Sequence, residues 1–298
     1  MTAVAVAARS RARAMYEVLE PYHVVLYYAP QVHVALREIG LTGLWRCYFA
    51  ARTAPLGPVP EPVVTAAFYH FKPSMVARVI PAVWNIAPPQ EALAARLAGA
   101  DAALRELLGD AVAGAELAEA AGLAATAASA CAPSGRPLGA ANAALELPAE
   151  PHLALWQAAT TLREHRGDGH VAALTHAEFD GVEALVTITA AGGEERENIQ
   201  GRRGWTDEEW AEGERRLRDR GLLDSAGALT DDGCAARTAV EDLTDRLASA
   251  PWRSLGEAGT RRLYELLQPL SERIINRLAL PLPVPPRDLG GQAVSGRP

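Results

Sequence analysis

The stretch that decides the fold of this chain is Trp205–Gly233, WTDEEWAEGERRLRDRGLLDSAGALTDDG. Thr206 is a favourable N-cap, three acidic residues fill the first helical turn after it, and Gly221 can end the helix. Trp210 and Leu217 place an apolar stripe along one face of this helix. A second capping signal, TDDG, closes the stretch. We therefore predict a helix, a tight turn, a very short hairpin and the start of a further helix.

This order of elements ends a winged helix-turn-helix domain, and it resembles the recognition helix and wing of MarR-type regulators. The charges are unusual for a protein that reads DNA. The first half of the predicted recognition helix is acidic, and the wing, residues 224–228, has no basic residue and is too short to reach a groove. Neutralisation of phosphates supplies most non-specific affinity for DNA, so we expect DNA binding to be weak and salt-labile.

If the chain binds DNA, the arginines in and before this helix are the candidate contacts. They are Arg202, Arg203, Arg215, Arg216, Arg218 and Arg220. The alternative is a solvated, charged helix, on which Glu212 pairs with Arg216 and Glu214 pairs with Arg218 at i, i+4 spacing.

Composition limits the compartment and the class of partner. With 298 residues the chain exceeds the length of a typical single domain, so two domains are expected. A net charge of −7 and an isoelectric point near 5.6 disfavour nucleic acids and membrane surfaces as default partners. The three cysteines lack metal-ligand spacing, and no apolar run is long enough for a membrane span. We expect a cytoplasmic protein without a signal peptide.

Helical periodicity dominates the rest of the sequence. It predicts a mainly α fold of two helical domains, the second a winged helix-turn-helix domain with a small β-wing. The predicted boundaries are 1–130 for the N-terminal helical domain, 131–150 for a linker, 151–279 for the winged-helix-like domain and 280–298 for a disordered tail. The first domain includes an alanine-rich helical hairpin at 90–131. The β-branched segment 181–191, GVEALVTITAA, mixes helix and strand signals and is the candidate strand that pairs with the wing.

A short internal similarity raises the question of duplication. Residues 32–36, VHVAL, recur as GHVAAL at 169–174, and each copy is followed by a glycine and an apolar segment. Two explanations stay open. The chain contains two related helix-turn-helix units, the first degenerate, or two amphipathic helices are similar by chance.

Residues that suit a ligand pocket gather in the N-terminal half. Five of the seven tyrosines lie between residues 22 and 69, interleaved with histidine and arginine. Tyrosine packs its ring and offers its hydroxyl, and arginine binds carboxylates with a planar fork, so the pattern favours an anionic or aromatic ligand. The alternative is that the tyrosines are core aromatics and that Arg52 and Arg78 pair with Glu20 or Glu61. We expect the counter-charge of Arg52 to come from Glu20, Glu61 or the ligand.

A second candidate is the segment EHRGDGH at residues 164–170. Its glycines predict that a helix over 152–165 ends here, with Asp168 as the N-cap of a new helix near His170. His165 and His170 could instead line the pocket or hold a divalent metal. A glycine loop spoils the helical spacing that a metal pair needs, so we predict no metal site.

Several runs of sequence resemble an actinobacterial family of helix-turn-helix-like proteins. These runs are LEPYHVVLYYAP, YFAARTAPLGP, FYHFKPSMVARVIPAVW, LWQAATTLREHRGDGH and GRRGWTDEEW, and the resemblance covers nearly the whole chain. It implies a cytoplasmic, two-part helical protein with a winged-helix module, and it implies no particular reaction. The family's motif positions in this sequence are His23, Tyr28, Tyr48, Arg52, Tyr69, Arg78, Trp84, His165, Arg166, Asp168, His170 and Trp205. Many members have asparagine in place of His70 and glutamate in place of Gln31, which suggests a specialised pocket.

The preferred hypothesis is a small-molecule-binding protein on a winged-helix scaffold, with the pocket between its two halves. The predicted ligand-binding residues are His23, Tyr27, Tyr28, Tyr48, Arg52, Tyr69, His70, Arg78, Trp84, His165, Arg166, Asp168 and His170. Whether the protein is an enzyme of specialised metabolism is left open, as are a cofactor and a homodimer. The first alternative is a ligand-responsive MarR-like regulator, supported by the helix-turn-helix ending. The second is a non-catalytic interaction protein that uses the alanine-rich hairpin.

Overall fold

The computed structural model describes residues 3–287 and 289, with side chains from residue 11 onward. This part of the chain forms 14 α-helices. They are α1 Ala3–Tyr28, α2 Pro30–Glu38, α3 Leu44–Thr53, α4 Glu61–Phe68, α5 Pro73–Ala77, α6 Pro89–Leu108, α7 Ala115–Ser129, α8 Pro137–Ala143, α9 Pro151–His176, α10 Gly181–Ala190, α11 Arg196–Arg203, α12 Asp207–Asp219, α13 Asp231–Leu247 and α14 Ala250–Leu278. Three short 3-10 helices lie at Ala54–Leu56, Ala82–Asn85 and Gly109–Ala113. The predicted mainly α character is confirmed, and none of the described helices has the length and apolar character needed to cross a membrane.

The predicted β-wing is wrong. The described residues form no β-strand, and the hairpin after α12 is reduced to one isolated antiparallel bridge between Leu223 and Leu229. The intervening turn closes tightly, because the Asp224 N–H donates to the Ala228 carbonyl at 2.9 Å. The Asp224 carboxylate also accepts the N–H groups of Ala226 and Ala228, at 2.8 and 2.9 Å. A turn this tight leaves no residues from which a wing could extend.

Residues 181–191, the candidate partner strand of the wing, form α10 instead. A capping box begins this helix, in which the Asp180 carboxylate accepts from the Glu183 N–H at 2.8 Å. The Glu183 carboxylate accepts from the Asp180 N–H at 3.0 Å in return. Leu185 and Val186 are buried by packing on neighbouring helices. Local capping and this burial outweigh the β-branched composition of the segment.

The helix predicted from the opening stretch is confirmed as α12. Thr206 and Glu209 form its capping box, and Trp210 and Leu217 are buried along one face. α11 ends at Gly204, which has the positive φ of 83° that favours glycine at this position. Two helices joined by a three-residue turn have the spacing of a helix-turn-helix motif, and we call α11, this turn and α12 the helix-turn-helix unit.

The prediction that a helix over 152–165 ends at the glycines of residues 164–170 is wrong. α9 continues through these glycines to residue 176. Neither glycine ends the helix, and Gly169 permits the close approach of another side chain. A Cβ on Gly169 would collide with the guanidinium of Arg136, which donates to the His165 carbonyl at 2.6 Å. A larger residue at position 169 would thus displace the Arg136 side chain, which lies far away in the sequence.

The predicted N-cap role of Asp168 is also wrong, since Asp168 lies inside α9. Its carboxylate accepts from the Gly139 N–H at 2.8 Å, in the first turn of α8. Asp168 thus satisfies a free N–H group at the start of a different helix. α8 lies within the segment predicted as a linker, and it packs closely on α9.

Two hydrophobic cores organise the helices. The first is built from α1 to α8, the first half of α9 and α14, and it contains the fully buried Trp156. The second is built from the end of α9 and from α10 to α13, around Trp210. α9 passes through both cores, and the segment between Leu162 and Ala173 belongs to neither.

The segment after α14 is described only in part. The Tyr264 hydroxyl donates to the Pro286 carbonyl at 2.6 Å, and the Gln268 amide donates to the Pro285 carbonyl at 3.0 Å. The first residues beyond α14 therefore pack back on that helix. Residues 288 and 290–298, the end of the predicted disordered tail, lie outside the described residues.

Candidate ligand-binding site

A cavity of about 230 Å³ lies beside the segment of α9 that separates the two cores. We call it the arginine pocket. Its lining residues come from α1, α3, α4, α9 and α11 and from the turn before α5. They are Tyr16, Tyr48, Arg52, Ala67, Phe68, His70, Phe71, Arg163, Arg166, Gly167, His170, Val171 and Arg203. Four arginines and no carboxylate line the pocket, so its chemistry favours an anionic ligand.

Glu164 is the counter-ion behind two of these arginines. Its carboxylate is 1% exposed and accepts from Arg52 twice, from Nε at 2.8 Å and from Nη2 at 2.9 Å. Arg163 donates to the same carboxylate at 3.2 Å and to Glu20 at 3.3 Å. Burial raises the pKa of Glu164, but the two guanidinium groups outweigh burial and hold this pKa well below its usual range. The expectation that Glu20, Glu61 or a ligand neutralises Arg52 is therefore wrong.

Three of the four guanidinium groups lie over aromatic rings. The pairs are Arg52 over Phe68 at 4.2 Å, Arg166 over Tyr16 at 4.3 Å and Arg203 over Phe71 at 4.6 Å, each measured to the ring centroid. A ring contributes cation–π attraction without occupying the N–H groups in the guanidinium plane. These arginines are thereby positioned while keeping donors available at their edges.

Three polar groups of the pocket have an unused donor or charge, judged against the described residues. Arg166 pairs with Asp245 at 2.8 Å, but its Nε atom is buried without a hydrogen-bond partner. Nε2 of His70 is buried in the same way. Arg203 forms no ion pair with any described carboxylate, and burial lowers its pKa. An anionic ligand would pair with Arg203, which is half-buried at the pocket wall. Nε of Arg166 and Nε2 of His70 have almost no solvent-accessible surface, so a ligand would reach them only after a rotation of each side chain.

His70 and His170 stack in the pocket, with ring centroids 5.9 Å apart and an angle of 17° between the ring planes. Nδ1 of His170 lies 3.0 Å from the Thr244 hydroxyl. Burial, together with the neighbouring His170 and Arg203, lowers the pKa of His70 to about 3. Burial also lowers the pKa of His170 to about 4, against the opposing charge of Glu241. Both rings are therefore neutral at pH 7.

These two histidines make the stability of the fold depend on pH. The unfolded chain protonates each ring below its ordinary pKa of 6.5, whereas the folded protein does so only at its lowered pKa. The free energy of unfolding is therefore expected to fall as the pH drops below about 6.5, by about 1–2 kcal/mol for each ring at pH 5. Urea unfolding at pH 7 and pH 5 checks this, since His170→Gln should lose less stability than the parent protein. An equal loss in both proteins contradicts the prediction.

The turn before α5, residues 69–72, connects the pocket to the helix-turn-helix unit by hydrogen bonds. The Lys72 N–H donates to the Arg203 carbonyl at 2.9 Å, and the Trp205 indole N–H donates to the His70 carbonyl at 2.9 Å. Tyr69, in the same turn, has a φ of 36°, which is uncommon for a residue other than glycine. The contacts of this turn therefore hold a strained backbone next to the pocket.

The structure brings five of the 13 predicted ligand-binding residues together at the arginine pocket. They are Tyr48, Arg52, His70, Arg166 and His170. Three more, His23, Tyr27 and Tyr69, adjoin the pocket without lining it. Nε2 of His23 lies 2.8 Å from the Tyr27 hydroxyl, and the Tyr27 ring packs against Tyr48 with centroids 4.9 Å apart.

The other five predicted residues lie elsewhere. Tyr28 and Arg78 are exposed, and Trp84 is half-buried against the first core. His165 and Asp168 are buried on the side of α9 that contacts α8. None of these five lines the arginine pocket.

The arginines predicted as alternative DNA contacts are occupied by acceptors of the protein itself, with one exception. The ion pairs are Arg202 with Glu194, Arg215 with Glu212 and Asp219, Arg216 with Asp180 and Glu183, and Arg218 with Glu214. Arg220 donates to the carbonyls of Ala177 and Glu178, at 3.0 and 2.9 Å. The exception is Arg203, which lines the arginine pocket. Exposed pairs contribute only about 0–1 kcal/mol each, so a phosphate could displace these carboxylates.

Sequence reasoning missed Arg163 and Tyr16 and placed Arg203 only among the DNA contacts. A signal for Arg163 exists, because Arg163, Arg166 and His170 follow each other at spacings of three and four residues, which is one face of a helix. The loop predicted at the glycines between them concealed that face. Tyr16 and Arg203 have no comparable signal, since only the packing of α1 and α11 brings them to the pocket.

Comparison with models of protein families finds a match over most of the chain. The model described as a helix-turn-helix family matches residues 12–281. No curated protein and no solved structure matches the chain. The match supports the helix-turn-helix part of the resemblance, and it contains no indication of a MarR-type wing or of an actinobacterial origin.

Proposed function

We propose that this chain, which belongs to a helix-turn-helix family, is a ligand-responsive DNA-binding regulator whose effector site is the arginine pocket. The position of Arg203 carries the proposal. Arg203 is the last residue of α11, it lines the pocket, and it precedes the turn into α12. A ligand that binds Arg203 would therefore contact the helix-turn-helix unit directly.

The turn before α5 is attached to the helix-turn-helix unit by three polar contacts and by the packing of Phe71 under Arg203 and of Met75, in α5, beside Gly204. Besides the backbone bond from Lys72 to Arg203 and the Trp205 bond to His70, Lys72 and Glu209 form an ion pair at 2.6 Å. Such partly exposed pairs contribute little free energy. An anion that bridges Arg203 to α9 or to the first core would strengthen the attachment. It would thereby shift the population toward one orientation of α12, in proportion to its differential affinity for the two states.

A second candidate function is a small-molecule-binding protein, with or without catalysis, that does not bind DNA. The acidic first turn of α12, Asp207, Glu208 and Glu209, favours it. In a helix-turn-helix protein this half of the recognition helix faces the base edges, where carboxylates repel the phosphate backbone. The arginine pocket serves both candidates, so only an assay of DNA binding separates them.

Selection from a random-sequence duplex library with the full chain tests the regulator proposal. Whereas the acidic α12 alone predicts weak, salt-labile binding, the regulator proposal requires selected duplexes to bind with a Kd of about 10⁻⁸ M at physiological salt. Arg215→Ala removes an exposed guanidinium of α12 and should weaken binding about tenfold. Arg262→Ala is the matched control, because it removes a comparably exposed guanidinium, paired with Glu119, from α14. Binding by this variant should match the parent.

Two results reject the regulator proposal. One is a library from which no sequence is enriched at physiological salt. The other is an equal loss of binding in Arg215→Ala and Arg262→Ala, which would show attraction to general surface charge. Either result leaves the second candidate function as the better account of the pocket.

A further inference from the structure

We propose that the ligand of the arginine pocket is a small phosphate monoester, whose phosphate group binds Arg203, Arg166 and His70. The inference rests on the proposed function only in using the same pocket. It concerns the chemical class of the ligand. It can therefore fail while the regulator proposal stands, and the regulator proposal can fail while it stands.

The balance of charge around the pocket leaves one lining arginine without a counter-ion. Arg52 and Arg163 face the carboxylates of Glu164 and Glu20 and are neutralised by them. In a second set Arg13 and Arg166 pair with Asp245 and Glu241, and Arg237, outside the pocket lining, also contacts Glu241 at 3.9 Å. Among the lining arginines only Arg203 has no described carboxylate as its partner. One unpaired cation suits a ligand with one or two negative charges, whereas a triphosphate would bring more negative charge than this cation can balance.

The donors around the pocket come from three separate elements of the fold. Arg203 comes from α11, Arg166 from α9 and His70 from the turn before α5. Nε of Arg166 and Nε2 of His70 have no hydrogen-bond partner among the described residues, and a rotation of each side chain would bring the atom to a bound phosphate. A phosphate offers three terminal oxygens in different directions, whereas a carboxylate offers two oxygens in one plane. Donors on three separate elements therefore suit a tetrahedral oxyanion better than a planar one.

The volume of the cavity limits the size of the ligand. The cavity volume of about 230 Å³ lies below the roughly 300–1,000 Å³ of pockets that hold drug-sized ligands. A phosphate group and a compact organic remainder fit such a volume, and a nucleoside triphosphate does not. Tyr48, Ala67 and Val171 supply apolar or aromatic surface for the remainder. A phosphate monoester should therefore bind more tightly than inorganic phosphate alone.

Isothermal titration of the full chain with phenyl phosphate, inorganic phosphate and benzoate tests the proposal. We expect phenyl phosphate to bind most tightly and benzoate at least tenfold more weakly. Arg203→Met should weaken phenyl phosphate binding by about 10–100-fold, the factor expected for loss of charge-assisted hydrogen bonds. Arg202→Met is the matched control, because Arg202 is the preceding residue of α11 and pairs with Glu194 outside the pocket. It should bind phenyl phosphate as the parent does.

The melting temperature of each variant separates binding from folding: Arg203 forms no described ion pair, and loss of its contact with the Phe71 ring should lower the melting temperature only slightly. His70→Gln is a second variant and should weaken phenyl phosphate binding less than Arg203→Met. The proposal is overturned by any of three results: benzoate binds as tightly as phenyl phosphate, no probe binds at millimolar concentration, or Arg202→Met loses as much affinity as Arg203→Met. None of these results bears on the duplex selection, which tests the regulator proposal by itself.

Discussion

Replacement of Glu164 by glutamine is expected to lower the free energy of unfolding by about 3–5 kcal/mol, the scale seen when one partner of a buried ion pair is removed. The Glu164 carboxylate is 1% exposed and pairs with both Arg52 and Arg163. A glutamine amide carries no charge, so Arg52 would remain largely buried without a counter-ion. Urea unfolding at pH 7 measures the loss.

The pH dependence of the same ion pairs follows from the direction of the pKa shift. The guanidinium groups outweigh burial and hold the pKa of Glu164 well below 4.5, so the unfolded chain binds the proton more tightly than the folded protein. The stabilisation is therefore fully present above pH 4.5 and is lost as the pH falls toward the lowered pKa. In Glu164→Gln this acid-dependent contribution should be absent.

Two control variants define the origin of the effect. Arg52→Lys keeps the positive charge but loses the two-pronged bond to Glu164, so its cost should be smaller than that of Glu164→Gln. Glu212→Gln breaks exposed pairs with Arg215 and Arg216 and should cost no more than about 1 kcal/mol. If Glu164→Gln costs no more than this exposed control, the buried pairs do not stabilise the fold as argued.

Replacement of Trp210 by alanine is the second large expected effect, a loss of about 3–5 kcal/mol from the cavity left by a buried aromatic side chain. Trp210 is 1% exposed at the centre of the second core, and its indole N–H donates to Glu214 at 3.0 Å. The second core contains far fewer buried side chains than the first, so it has less packing with which to compensate. Trp210→Phe retains a ring and should cost clearly less.

Hydrogen exchange locates the damage from Trp210→Ala. Amide protection should fall in α10, α12 and α13, which pack around Trp210, and should be kept in α6 and α7, which belong to the first core. A uniform loss of protection across both cores would show instead that the two cores unfold as a single unit. That outcome would contradict this prediction, which requires the second core to open while the first core stays folded.

The sequence by itself determined the helical class of this protein and the position of α12. Both follow from local information, because Thr206 and Glu209 cap the helix within its own first turn and Trp210 and Leu217 recur at helical spacing. The arginines, histidines and tyrosines of the pocket were equally evident as residue types. The contacts of these side chains could not be read from the sequence, because the partner of each side chain lies far away in the chain.

Only the tertiary structure decided where α9 ends, whether a wing forms and which residues meet in the pocket. The glycine at position 169 looks like a helix terminator, yet it admits the guanidinium of Arg136 and the helix continues. Arg52 is paired with Glu164 at a separation of 112 residues, and Arg203 reaches the pocket through the packing of α11. Capping and periodicity act within a few residues, whereas close approach, ion pairing and cavity shape arise between helices that meet only after folding.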